Sequence, residues 1–143
     1  MHNPDWSQFE RGIFLVNVLG IVYDRETKNV LIGRREDDPN IKNLSWTFPG
    51  GRPEYKNELE HYLKHEVRLK TGVSIDVEKI IFAKTYPEKR DFLSIYYLCK
   101  PIGGHEKAGE KFKEIKWIKP TEATKYFTTS LHPTLLEYLK SLE

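Results

Sequence analysis

The apolar positions along this chain follow two rhythms. Residues 13–23, IFLVNVLGIVY, form a long run rich in β-branched and aromatic side chains, and residues 30–35, VLIGRR, form a shorter one. DRETKN, between them, supplies turn chemistry, so the two runs predict a β-hairpin. Residues 75–86 and 91–100 read as two more strands around the charged turn PEKR, and residues 112–118, FKEIKWI, alternate like a strand with one covered face. Over residues 58–70 the rhythm changes. Leu59, Leu63 and Val67 recur at every fourth position with Tyr62 beside them, which predicts a helix with one apolar stripe. Gly72 stands where a left-handed helix cap belongs. Pro120-Thr121 opens a short helix, and residues 132–143, HPTLLEYLKSLE, carry a proline near the start of a closing one. Residues 36–45 read as a polar loop broken by Pro39, and residues 102–111, IGGHEKAGEK, as a flexible loop. Strands on both sides of a central helix, with helices at the end, predict an α/β fold: a mixed β-sheet sandwiched between helices.

Composition narrows the class. The 143 residues suit one domain over 1–143, and 38% apolar with 31% charged residues describes a folded chain rather than a disordered one. A net charge of +2 is too small for a domain built to hold a polyanion, so no nucleic-acid partner is expected. One cysteine, Cys99, excludes an internal disulfide framework; its apolar surroundings read as a buried small hydrophobe. No apolar run approaches the roughly 18 residues of a spanning helix, and MHNPDWSQFERG is too polar for a signal peptide. A cytoplasmic protein without a membrane partner is expected.

The chemistry concentrates around Trp46-Thr-Phe-Pro-Gly-Gly. Gly50 and Gly51 let a backbone approach a ligand closely, and Arg52 follows them as a candidate phosphate contact. Arg34 and Arg35 end a strand, so their side chains leave opposite faces and one of them can reach a phosphate. His61 and His65 read as the solvated helix face opposite Leu59 and Leu63 rather than as a metal pair. His105, Glu106, Glu110 and Glu114 are further candidates for a base. Trp46, Phe48 and Trp117 read as core, while Tyr86, Tyr96 and Tyr97 give no clear signal.

Taken together, the VLIGRR strand, the WTFPGG turn, the helix and the late segment EIKWIKPTEA resemble the Nudix hydrolases over nearly the whole chain. The family box runs Gly, five residues, Glu, seven residues, Arg-Glu-apolar, any, Glu-Glu, any, Gly-apolar. The frame from Gly51 through Glu66 to Gly72-Val73 is kept. The acids are not: Asn57 stands for the first Glu, His65-Glu66 for Arg-Glu, and Leu69-Lys70 for Glu-Glu. The resemblance implies a Nudix-type α/β/α sandwich and hydrolysis of a nucleoside diphosphate linked to another moiety, using Mg2+ or Mn2+. Those cations want carboxylates converging from one helix face. Only Glu66 remains in place, with Glu58 one residue late and Glu54 in the loop as substitutes. Lys70 beside a divalent ion would cost about 8 kcal/mol at 4 Å and an effective dielectric near 20, as an upper bound. The expectation is therefore a reduced or atypical metal-dependent activity. Glu66 and Glu58 are the catalytic candidates, Glu66, Glu58 and Glu54 the weak metal ligands, and Arg34, Arg35, Gly50, Gly51, Arg52 and Lys70 the substrate contacts. Two alternatives stand beside it. One is an inactive module that binds a nucleotide or other phosphorylated ligand, with Lys70 on phosphate. The other is a sugar-nucleotide hydrolase of the GDP-mannose type, which shares the Gly-Gly-Arg turn. Similar proteins often form homodimers, and the substrate is not legible from the box.

Overall fold

A computed structural model describes residues 6–35, 45–87 and 89–143. The polar loop expected over 36–45 lies outside these residues except for its last one. The described strands are β1 (Leu15–Asp24), β2 (Asn29–Arg35), β3 (Trp46–Thr47), β4 (Gly50–Gly51), β5 (Val73–Thr85), β6 (Phe92–Gly104) and β7 (Phe112–Ile118). The α-helices are α1 (Leu59–Thr71), α2 (Ala123–Tyr126) and α3 (Pro133–Ser141), with a 3-10 turn over Pro120–Glu122 before α2.

The sheet is mixed. β1 runs parallel to β6, with Leu15 opposite Phe92 through Val22 opposite Cys99, and β5 pairs antiparallel on the far side of β6. The β1–β2 hairpin pairs only next to its turn, Tyr23 with Val30 and Asp24 with Asn29. Beyond that the strands separate, and the segment Trp46–Gly51 enters the gap. β3 pairs with β2 through Gly33–Thr47 and Arg34–Trp46, while β4 pairs with β1 through Val18–Gly51 and Leu19–Gly50. The Gly20 amide donates to the Pro49 carbonyl at 2.8 Å and closes the inner edge. β7 covers the other side of β2.

Alternation along the strands produces two cores. Leu19, Ile21, Tyr23, Val30, Ile32, Phe48, Tyr96 and Leu98 pack with Ala123, Leu135 and Leu139 of the closing helices. Val18, Val22, Leu31, Tyr97 and Cys99 face the other way and pack with Leu63 and Val67 of α1. The α/β sandwich expected from the sequence is the fold observed.

Helix α1 has well-defined ends. The Glu58 carboxylate accepts from the amides of Glu60 (3.0 Å) and His61 (2.8 Å), which otherwise lack partners in the first turn. At the other end Gly72 adopts φ 75°, and a Cβ there would meet the His105 carbonyl oxygen at 1.9 Å. The flexible loop expected over 102–111 is corrected by the structure. Ile102, Gly103 and Gly104 continue β6, and residues 105–109 are laid across the end of α1. The amides of His105, Lys107 and Gly109 donate to the carbonyls of Gly72, Thr71 and Lys70, each at 2.9 Å. These bonds satisfy orphan helix carbonyls and hold the loop in place.

Candidate active site

The site grows from the glycine turn. A Cβ on Gly50 would lie 1.9 Å from the Val18 carbonyl oxygen, so only glycine lets this segment sit against β1. Gly51 in turn lies under α1, where a Cβ would meet the Tyr62 hydroxyl at 2.5 Å and Glu66 Cγ at 3.4 Å. Tyr62, Glu66 and Lys70 stand one helical turn apart in succession, so they form a single ridge along α1 above the turn.

Beside this ridge opens a cleft of about 320 Å3. Its polar wall contains Arg35, Arg52, Glu66, Lys70, Glu110 and Lys111. Its aromatic lining is Trp46, Phe48, Tyr86, Phe92, Tyr96 and Phe127, and Thr129, Ser130 and Leu131 line it as well. Phe48 meets Phe127 edge-on at 5.0 Å, and the Tyr86 and Tyr96 hydroxyls stand 3.3 Å apart. Arg52 sits 5.9 Å from the centre of the Phe92 ring.

Lys70 is the centre of the polar wall. Its ammonium donates to the Gly50 carbonyl and pairs with Glu66 at 3.5 Å, and the two side chains are only 15% and 18% exposed. Burial pulls the Lys70 pKa below its ordinary value, Glu66 opposes that shift, and Arg35 and Lys111 add to it. Burial also pushes the Tyr62 hydroxyl up to about 12, helped by the adjacent Glu66 carboxylate.

The structure brings together many of the expected site residues. Arg35, Gly50, Gly51, Arg52, Glu66 and Lys70 all line the cleft. Arg34 points away and pairs with Glu114 at 3.2 Å. Glu54 and Glu58 do not join Glu66. Glu54 is exposed beside Lys56 at 3.5 Å, and Glu58 is spent on the cap of α1, whose amides hold its carboxyl below the usual range. Among the described residues no group of three His, Cys, Asp or Glu side chains converges on a point. Among the described residues the donor set therefore does not fit a divalent-cation cluster: two carboxylates, Glu66 and Glu110, line the cleft, and the ammonium of Lys70 occupies the Glu66 carboxylate and the Gly50 carbonyl.

The sequence reading missed Asn17, Tyr62, Tyr86, Phe92, Tyr96, Lys111 and the 127–131 wall. The four-residue spacing of Tyr62, Glu66 and Lys70 was the one available signal. The others arrive from distant elements. Trp46 and Phe48, expected as core, both line the cleft while packing into the core beneath it.

The model of the NUDIX domain matches residues 14–139. A MutT-like protein of Streptomyces ambofaciens is 30% identical over 111 residues, covering 76% of this chain and 66% of that protein. A nucleoside triphosphatase NudI of Escherichia coli is 26% identical over 108 residues, covering 67% of this chain and 77% of the other. A NUDIX hydrolase structure from Nitrosomonas europaea superposes with a TM-score of 0.72 at 17% identity, covering 88% of this chain and 70% of that one.

Proposed function

The chain belongs to the NUDIX-domain family, and from that premise we propose that it binds a nucleoside diphosphate linked to another moiety and hydrolyses it slowly. Nudix hydrolases act on small nucleotide-type substrates and generally use Mg2+ or Mn2+. The observation that carries this reading is the charge of the cleft. Among the described residues that line it, four cations (Arg35, Arg52, Lys70, Lys111) face two carboxylates (Glu66, Glu110), an excess of two positive charges. A diphosphate bridging two groups carries one negative charge on each phosphate and complements that excess. Trp46, Tyr86 and Phe127, the partly exposed rings of the aromatic lining, are the ones available to a planar base.

Slow hydrolysis follows from Glu66. It is the one carboxylate that α1 turns toward the cleft, and it is already paired with Lys70. In this reading Glu66 accepts the proton of the attacking water. The guanidinium and ammonium groups hold the phosphates and offset the charge that develops on them. No step is assigned to a metal, because the described residues do not fit one. The proposal treats residues 1–143 as one domain.

The test is a panel of ADP-ribose, diadenosine polyphosphates, sugar nucleotides and oxidised nucleoside triphosphates, with products separated by chromatography and binding followed by calorimetry. At least one member should bind and turn over slowly, and Glu66→Gln should abolish turnover while binding stays within about threefold. Rapid turnover that survives Glu66→Gln would overturn the reading, as would failure of every panel member to bind.

A second reading, a module that binds without cleaving, is favoured by the contact of Lys70 with both Gly50 and Glu66. Binding without product in the same panel would establish it. The sugar-nucleotide alternative gains no support: resemblance to the GDP-mannose-type enzymes implies a catalytic histidine shortly before the late Trp117, and Phe112 to Lys116 of β7 include none.

A further inference from the structure

The geometry points to the Lys70 ammonium as a built-in cation, bridging the Gly50 carbonyl, the Glu66 carboxylate and a ligand phosphate, so that diphosphate binding needs no divalent ion. This rests on the reading of the cleft as a diphosphate site and adds to it how the central charge is supplied.

Three observations converge on it. First, Lys70 is held rather than loose: its ammonium contacts one carbonyl and one carboxylate, at a side chain 15% exposed, on the wall of the cleft. An ammonium has three donors, so two contacts of this kind leave one for a phosphate oxygen. Second, the surroundings are not those of an ammonium parked against a surplus of acid. Arg35 and Lys111 lie close enough to disfavour its charge, which Glu66 favours. A group of like charges gathered on one cleft wall is stabilised by an anionic ligand. Third, the two oxygens that Lys70 engages are hard donors of the kind a divalent ion would take, and no third acid joins them among the described residues. The ammonium and a metal would compete for the same oxygens, and the ammonium is covalently present.

The experiment uses the full chain and inorganic pyrophosphate as probe, titrated by calorimetry in EDTA and again with excess Mg2+. The wild type should bind pyrophosphate in EDTA, with an affinity within about threefold of that in Mg2+. Lys70→Met should weaken binding in EDTA by tenfold or more while keeping its circular dichroism and melting transition. Lys70→Glu replaces the ammonium by a carboxylate one turn from Glu66, and should gain Mn2+ binding, read by electron paramagnetic resonance without any phosphate present. Wild-type binding that appears only with Mg2+ would overturn the inference while leaving the diphosphate site standing. Equal binding by Lys70→Met in EDTA would overturn it too, as would wild-type Mn2+ affinity equal to that of Lys70→Glu. Absence of pyrophosphate binding under both conditions would remove the site itself, and the inference with it.

Discussion

Cys99 and Gly50 show how single residues are fixed by what surrounds them. The Cys99 side chain is fully buried against α1, and burial pushes its thiol up to about 12 from an ordinary 9.0. A thiol at that value is almost entirely protonated at neutral pH and is a poor nucleophile. Native protein should therefore react with a disulfide reagent at the rate of global opening, and at once after denaturation. The same shift has a sign in stability. The unfolded thiol ionises above about pH 9 while the folded one does not, so the unfolded state binds fewer protons there. The contribution is complete below the unfolded pKa and is lost as pH rises toward 12, with a slope near 1.4 kcal/mol per pH unit for one such group. Urea midpoints measured from pH 8 to 11 should fall, and Cys99→Ala should flatten the fall. At Gly50 the constraint is contact with the Val18 carbonyl. Gly50→Ala should push the turn off β1, lowering the melting temperature and weakening pyrophosphate binding together.

At the scale of elements, α1 carries both the core stripe and the functional ridge. Leu63 is fully buried between α1 and the sheet, so Leu63→Ala should cost about 2–5 kcal/mol in chemical denaturation without changing which ligand binds. Glu58→Gln should keep the site and loosen only the start of the helix. Glu58→Ala should lower the melting temperature more, because both amides of the first turn lose their acceptor. The helix is also where the sequence was most informative. The stripe of Leu59, Leu63 and Val67, the cap at Gly72 and the frame from Gly51 to Glu66 are local patterns, and local patterns survive into the fold. What Glu58 does was not legible, because a carboxylate one residue before a helix serves as cap or ligand according to the loop geometry. The segment 102–111 reads as flexible from its glycines and lysines; the order of residues 105–109 comes from helix carbonyls that are distant in sequence and need donors.

For the molecule as a whole, the strand alternation was readable and the arrangement of the cleft was not. Tyr86, Tyr96 and Phe127 reach one wall from three separate segments, and nothing in their own neighbourhoods marks them. Lys111 arrives because residues 105–109 are tied to the end of α1. The charge that results is a property of the assembled surface: among the described residues, a net +2 chain places an excess of two cations around one opening. Pyrophosphate affinity should therefore fall as salt is raised from low to physiological ionic strength, less steeply than for fully exposed charges because Lys70 is shielded from solvent.

The parting of β1 and β2 has a consequence for how the cleft came to exist. Continued in its own register, the hairpin would bring Gly20 opposite Gly33 and Leu19 opposite Arg34, and would zip shut. The six-residue strip from Trp46 to Gly51 acts as a doorstop: it takes up the hydrogen bonds the two strands would otherwise give each other. A chain shortened through that strip would still have the pairing partners for a sheet, but the sheet would close, and the room a ligand needs would go with it.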